Sequence, residues 1–364
     1  MKKYLSLAAA AALMAVSCSK NVQGGQAPGI DDDNASPEAI VFGSNVIAVK
    51  SKANGGVDEW NASQTLYIYG YDREVTDFTA AAYIDNVDVA SPASGMSGAI
   101  NVYEDKASSK PYYYSGKTKY DFYGYYVDDA AGAVPAPVKE TGRIYIPFTI
   151  DGGQDLMIAK ADQGVDIAGS EITDPDLAYS AYSARRKVHP TLKFEHQLSR
   201  FVFDVIGGGD NYANISVADI TITSKTTGKL VVAGDVRGIE DAADEKVLYL
   251  KEKDASGRLV ALGSNGAFVP SREASRIGES LLVIPGEDEY KLTVNLVQDG
   301  ISAKDEYAIR PSMVVPQVAA FEKGKQYKVT VTIYGLEDVR ITAELTAWDQ
   351  SGDIVLDPDD PATW

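Results

Sequence analysis

Reactive side chains are scarce in this sequence. Its 364 residues hold one cysteine, Cys18, and two histidines, His189 and His196. A single thiol excludes a disulfide framework and any cysteine-rich zinc site, and few groups are left to serve as nucleophile or general base. No metal or other cofactor is therefore expected, and an enzyme is not. Basic charge is also short: 34 Lys and Arg face 52 Asp and Glu, a formal charge of −18. A surface of that sign repels phosphate backbones and offers no basic patch to anionic lipid, so nucleic acid is not an expected partner. Beyond the first residues no apolar run is long enough to span a bilayer as a helix. Tyrosine, by contrast, is plentiful, at 22 residues against 9 Phe, and Gly and Pro number 32 and 15. With a hydrophobic content of 45%, this is a chain of strands and turns with enough apolar material for real cores.

Residues 1–17 read as a signal peptide: Lys2 and Lys3 form a positive start, and Leu5 to Val16 an apolar run of the right length. Ala15-Val16-Ser17-Cys18-Ser19 places small residues and the only thiol at the end of that run. This resembles a bacterial lipoprotein signal, in which the cysteine becomes the acylated first residue. The spacing predicts Cys18 as the lipidation site. Residues 18–38 lack apolar periodicity and are rich in Gly, Pro, Asn and Asp, so they read as a flexible linker.

From residue 39 onward the hydrophobic pattern has period two. Leu66 and Ile68 alternate with Tyr67, Tyr69 and Tyr71, Ile144 to Ile150 alternate with Tyr145, Pro147 and Thr149, and Tyr327 to Ile333 alternate with Lys328, Thr330 and Thr332. Alternation puts apolar side chains on one sheet face and polar ones on the other. Only Ser271 to Ser280 reads as a possible helical turn. Many strands joined by Gly/Pro turns imply β-sandwiches, and the length implies two, an N-terminal one over 39–196 and a C-terminal one over 197–364. The run GGGDNYAN at 207–214 is a competing boundary or a hairpin loop.

Motifs for chemistry fail one by one. His189 and His196 lie an odd number of residues apart, which on one strand puts them on opposite faces, so both read as structural. Gly95-Met96-Ser97-Gly98-Ala99 misses the last glycine of a nucleophile elbow. Gly207-Gly208-Gly209 has no Lys-Ser/Thr after it, so it is no phosphate loop. The tyrosine-rich strands Leu66–Tyr71 and Tyr112–Tyr126 have two readings, an aromatic ligand platform or half-buried sheet faces.

Several segments, in order, resemble the fimbrillin-like family, the subunits and anchors of type V pili. They are Ile40-Val41-Phe42, Tyr120 to Tyr126, Asp155 to Ala159, Leu192 to Arg200, Leu281 to Pro285, Phe321 to Tyr327, and Ile341 to Trp348. The resemblance implies an all-β chain of two tandem transthyretin-like β-sandwich domains after a lipoprotein signal peptide and a flexible tether. It implies a structural or accessory subunit of a cell-surface fimbria, held to the outer membrane by lipid on Cys18. Its partners would be other fimbrial subunits, in a homo- or hetero-polymer joined by donor-strand exchange. The removable first strand would run from Ile40 to Val49, with Ile40, Phe42, Val46, Ile47 and Val49 as its strand formers, paired at a sheet edge. Lys50 and Lys52 follow that strand directly, whereas Arg73, the first arginine, lies beyond the next one; these three are the candidate processing sites. The family's processing protease prefers Arg, which favours an anchor, tip or accessory subunit over a stalk. The alternative is a surface adhesin that binds glycan or host protein through its tyrosine-rich face without polymerising.

Overall fold

A computed structural model describes residues 37–46, 60, 62–73, 75–93, 97–116, 118–161, 179–185, 188–313 and 318–347. The strands are β1 (Phe42–Val46), β2 (Thr65–Asp72), β3 (Ile84–Ala90), β4 (Ser97–Ile100), β5 (Tyr103–Asp105), β6 (Lys110–Pro111), β7 (Tyr120–Val127), β8 (Val138–Glu140), β9 (Arg143–Thr149), β10 (Leu156–Lys160), β11 (Thr191–His196), β12 (Ser199–Gly207), β13 (Ile215–Gly234), β14 (Gly238–Tyr249), β15 (Lys251–Lys253), β16 (Leu259–Ala261), β17 (Ser275–Val283), β18 (Tyr290–Gln298), β19 (Ile301–Ile309), β20 (Lys325–Gly335) and β21 (Asp338–Ala347). Helix among the described residues is confined to α1 (Ala181–Ala184), capped by Ser180, and a 3-10 turn at Pro311–Met313. The chain is all-β, as the alternation implies. Ser275 to Val283, expected in part as a helical turn, is a strand instead, because its apolar residues Ile277, Leu281 and Val283 face one core.

Three sheets carry the architecture. The seven-stranded sheet has the order β3-β2-β7-β10-β11-β1-β4, and the four-stranded sheet β17-β12-β20-β21. The third runs β19-β18-β13-β9-β8, with β14 along β13. One core lies on one face of the seven-stranded sheet and includes Phe42, Ile68, Phe122, Met157 and Phe194, closed over by Trp60 and the small buried face of α1. The opposite face of that sheet packs Tyr69, Tyr71, Tyr125 and Ile158 against Ile144 and Ile146 of β9 and Leu230 and Val232 of β13. The third core joins Phe201, Phe203 and Val205 of β12 and Val329 and Val331 of β20 to Ile220 of β13 and Leu292 and Val294 of β18. The one-face burial expected from alternation therefore fails in the central strands: Leu156, Met157, Ile158 and Ala159 of β10 are all buried, because both faces of their sheet are covered.

β13 links these cores. Its residues 215–223 pair with β18 and its residues 227–234 with β9, while β14 follows its other side over 221–231. Register shifts mark each ladder, at Val217/Asp219 with β18, Thr227/Lys229 with β14 and Val231/Ala233 with β9. A sheet thus runs across residue 196, with β8 and β9 on one side of that position in sequence and β13, β18 and β19 on the other. Of the run 207–214, Gly207 ends β12 and residues 208–214 connect it to β13. A side chain at Gly207 or Gly208 would meet Tyr212 or the Thr332 and Tyr334 side chains at 2.5–2.7 Å, which accounts for the glycines without any ligand.

Candidate assembly interface

The first strand is short and far in sequence from everything it touches. Ile40 and Phe42 are buried, and the Phe42 ring meets Phe122 edge-on at 4.9 Å. The Ile40 N–H donates to the carbonyl of Tyr112 and the Gly43 N–H to that of Pro190. β1 runs parallel to β11, with Gly43 opposite Thr191 and Val46 opposite Phe194. On its other side it runs antiparallel to β4, with Phe42 opposite Ile100 and Asn45 opposite Ser97. This corrects the edge position expected for it. β1 is held by ladders on both sides, and β4 takes the edge, since four residues containing two of the smallest side chains give no readable strand pattern in sequence. Ile47, Val49, Lys50 and Lys52 lie outside the described residues, as does Cys18.

Beneath β1 the sheet is built for close approach. A Cβ at Gly124 of β7 would lie 2.9 Å from the Phe194 ring, so glycine there lets the β11 phenylalanine reach past β10 to β7. Trp60 closes the far side, edge-on to Phe194 at 5.4 Å. Trp60 and Ile100 are parts of this seat that sequence reasoning missed; an isolated Trp between acidic and polar residues carries no period.

At the end of β11 the buried His196 places Nδ1 3.0 Å from the Asp155 carboxylate, which also accepts the Leu156 N–H. His196 is a structural cross-tie between β10 and β11, as expected, and His189 lies outside any strand. Nearby, burial and then the negative charges of Asp155, Asp151 and Asp129 push the Asp128 carboxyl up to about 6. The candidate elbow serine, Ser97, is the first residue of β4, a pairing strand rather than a strand-to-helix turn.

The tyrosine-rich face is internal. Tyr69, Tyr71 and Tyr125 are almost fully buried, and Tyr67 stacks on Tyr125 at 4.9 Å. The Tyr125 hydroxyl donates to Asn86 and that of Tyr71 to the Phe78 carbonyl. On β7 the other face buries Tyr120 and Phe122. These strands fill cores on both sides, which favours the sheet-face reading of Leu66–Tyr71 and most of Tyr112–Tyr126 over the ligand-platform one. Burial pushes the phenols of Tyr69 and Tyr125 well up from their usual range.

Arg73 is exposed in the turn after β2, with its N–H donating to the Lys119 carbonyl. Detaching everything before residue 74 would take β2 as well as β1. β2 lies between β3 and β7 and contributes Leu66, Ile68, Tyr69 and Tyr71 to two cores.

The family profile described as fimbrillin-like matches residues 51–348. The chain belongs to the fimbrillin-like family. Its fold is similar to a solved candidate cell adhesion protein from Bacteroides ovatus, with a TM-score of 0.51 and 16% identity, covering 87% of this chain and 100% of that chain. Two Porphyromonas gingivalis structures also match. The tip fimbrial protein Mfa3, with a C-terminal truncation, has 8% identity, covers 86% of this chain and 100% of that one, and has a TM-score of 0.39. The fimbrilin FimA has 10% identity, 87% and 99% coverage, and a TM-score of 0.41. No curated protein sequence matches the chain.

In this fimbrillin-like chain the segments that carry the family resemblance meet in space. Ile40 to Phe42 leads into β1, Leu192 to His196 is β11, Asp155 to Ala159 leads into β10, and Tyr120 to Tyr126 is β7, four neighbouring strands of one sheet. Ser199 and Arg200 open β12, which pairs on one side with Leu281 to Val283 and on the other with Gln326 and Tyr327.

Proposed function

We propose that this chain is an exported lipoprotein, acylated at Cys18, that serves as a structural or accessory subunit of a surface fimbria on the outer membrane. It joins other subunits by exchanging β1 for a strand of a partner, and it performs no catalysis. The observation that carries this reading is the seat of β1. A short strand, preceded by a polar tether and followed by Lys50 and Lys52, fills a slot between β11 and β4 and buries Ile40 and Phe42. Each large apolar side chain so buried contributes on the order of 1.5–3 kcal/mol, and an emptied slot also exposes two unpaired ladders. That deficit drives acceptance of another strand. Within the sequence, Ile354-Val355-Leu356 repeats the pattern of Ile40-Val41-Phe42 and is the donor we favour.

Arg73 supports an anchor, tip or accessory role over a stalk role. Cleavage there would also strip β2 from between β3 and β7, a far larger loss than emptying one slot. Limited trypsin digestion of the full chain tests the reading. Cleavage at Lys50 or Lys52 should yield oligomers that survive unboiled gels, and deleting Ile354 to Leu356 should abolish them. A cut product that stays monomeric refutes strand exchange at this slot.

A further inference from the structure

With the β2 and β7 tyrosines enclosed, one aromatic cluster still reaches solvent. Tyr83 is 39% exposed, and its ring packs at 5.1 Å on buried Tyr120 and edge-on at 5.6 Å to half-buried Tyr112. Its hydroxyl is committed, donating to the Tyr113 carbonyl, so what Tyr83 offers outward is ring surface. The other exposed apolar side chains differ from it. Val236 and Val269 sit in connecting segments, Ile301 opens β19, and Tyr249 lies on the charged strand β14.

Polar groups stand around this aromatic surface. Lys110 pairs with Glu104 at 2.6 Å and Lys139 with Asp85 at 2.6 Å, and the side chains of Lys110, Glu104 and Asp85 are about half exposed. Burial pushes the phenols of Tyr112 and Tyr83 up; Glu104 adds to this at both rings and Asp85 at Tyr112, whereas the Lys110 ammonium draws the Tyr83 phenol back down. Each carboxylate already has an ammonium partner, so the rim has little charge with which to hold an ion, yet it keeps free acceptor lone pairs and N–H donors. The backbone beneath is braced. Tyr112 accepts from the Ile40 N–H, and the Tyr114 N–H donates to Glu38, which lowers the ordering cost of binding.

We propose that Tyr83 and Tyr112, rimmed by Asp85, Glu104 and Lys110, form a binding site for a neutral glycan. A pyranose ring presents one apolar C–H face and a girdle of hydroxyls. Outward ring surface takes the first, and the paired carboxylates and ammonium groups take the second. An acidic sugar is disfavoured by the chain's charge of −18. The site needs no strand exchange and is complete in a single chain.

The test is an array of neutral gluco-, galacto-, manno- and N-acetylhexosaminyl oligosaccharides probed with the full chain, followed by calorimetric titration of the best array binder. Tyr83→Ala should weaken that binder by about tenfold or more, whereas Tyr83→Phe, which keeps the ring, should stay within about threefold. Glu104→Ala, on an exposed side chain away from the cores, should weaken it by about fivefold and decides the matter if Tyr83→Ala fails to fold. Tyr249→Ala serves as the control and should bind as wild type does. Failure of every array saccharide to bind, or wild-type affinity in Glu104→Ala and in a folded Tyr83→Ala, overturns the site.

Discussion

Phe42 shows at the residue scale what the first strand is worth. It has no solvent exposure and touches the Phe122 ring of β7. Phe42→Ala should cost about 3–5 kcal/mol, read as a lowered midpoint in denaturant unfolding. A loss below about 1 kcal/mol would mean that β1 is not seated on this core. Asp128 gives a prediction of opposite sign. Burial and its acidic neighbours raise its folded-state value from 3.8 to about 6. The native state therefore binds the proton more tightly than the unfolded chain, and this group's contribution is favourable below pH ~4 and lost as pH rises through ~6. Asp128→Asn should stabilise the protein by about 1–2 kcal/mol at pH 7.5, allowing for its partial exposure, and by nothing measurable at pH 3.5. Melting temperatures at the two pH values check it; an equal shift at both would remove ionisation as the cause.

At the element scale the edges differ in what they permit. β14 carries Glu240, Asp241, Asp244 and Glu245, has a bulge in its pairing with β13, and holds Asp241 and Asp244 at φ near +50°. Charge, bulge and twist together block a second strand from adding there. β21, at the edge of its sheet, turns Val339, Ile341 and Ala343 toward the core and Arg340 and Glu344 to solvent. β4 depends on β1, its one ladder partner among the described residues. Once β1 is cut away, the amides of Ser97–Ile100 should lose hydrogen-exchange protection while those of β18, paired on both sides, keep theirs. Unchanged protection in β4 would show that it pairs independently of β1.

At the scale of the whole molecule, β13 ties the core behind the seven-stranded sheet to the core over β12 and β20 through one continuous backbone. No connecting loop lies between the two cores along this path. The proposed acylation has its own test, at Cys18. Changing Cys18 to Ala should move the protein from the membrane fraction to the soluble one, and wild type should take up labelled fatty acid. A membrane-bound variant, with no label in wild type, would remove the lipid anchor.

Strand identity was readable from residues alone wherever alternation ran for several positions. Leu66 to Gly70, Ile144 to Phe148 and Tyr327 to Ile333 are strands because their side chains alternate in polarity, a local property that backbone geometry converts directly into two faces. The scarcity of cysteine and histidine and the family resemblance were equally legible, since composition and order need no coordinates. β4 and the place of β1 inside its sheet were not. Ser97 to Ile100 has too few large side chains to signal a strand, and neighbours in a sheet are chosen by long-range pairing that leaves no local trace. Nor did sequence say whether the tyrosines faced water. Alternation marks the two faces of a strand, but whether a second layer covers the polar-looking face depends on which sheet packs against it, and here β9 and β13 close over Tyr69, Tyr71 and Tyr125.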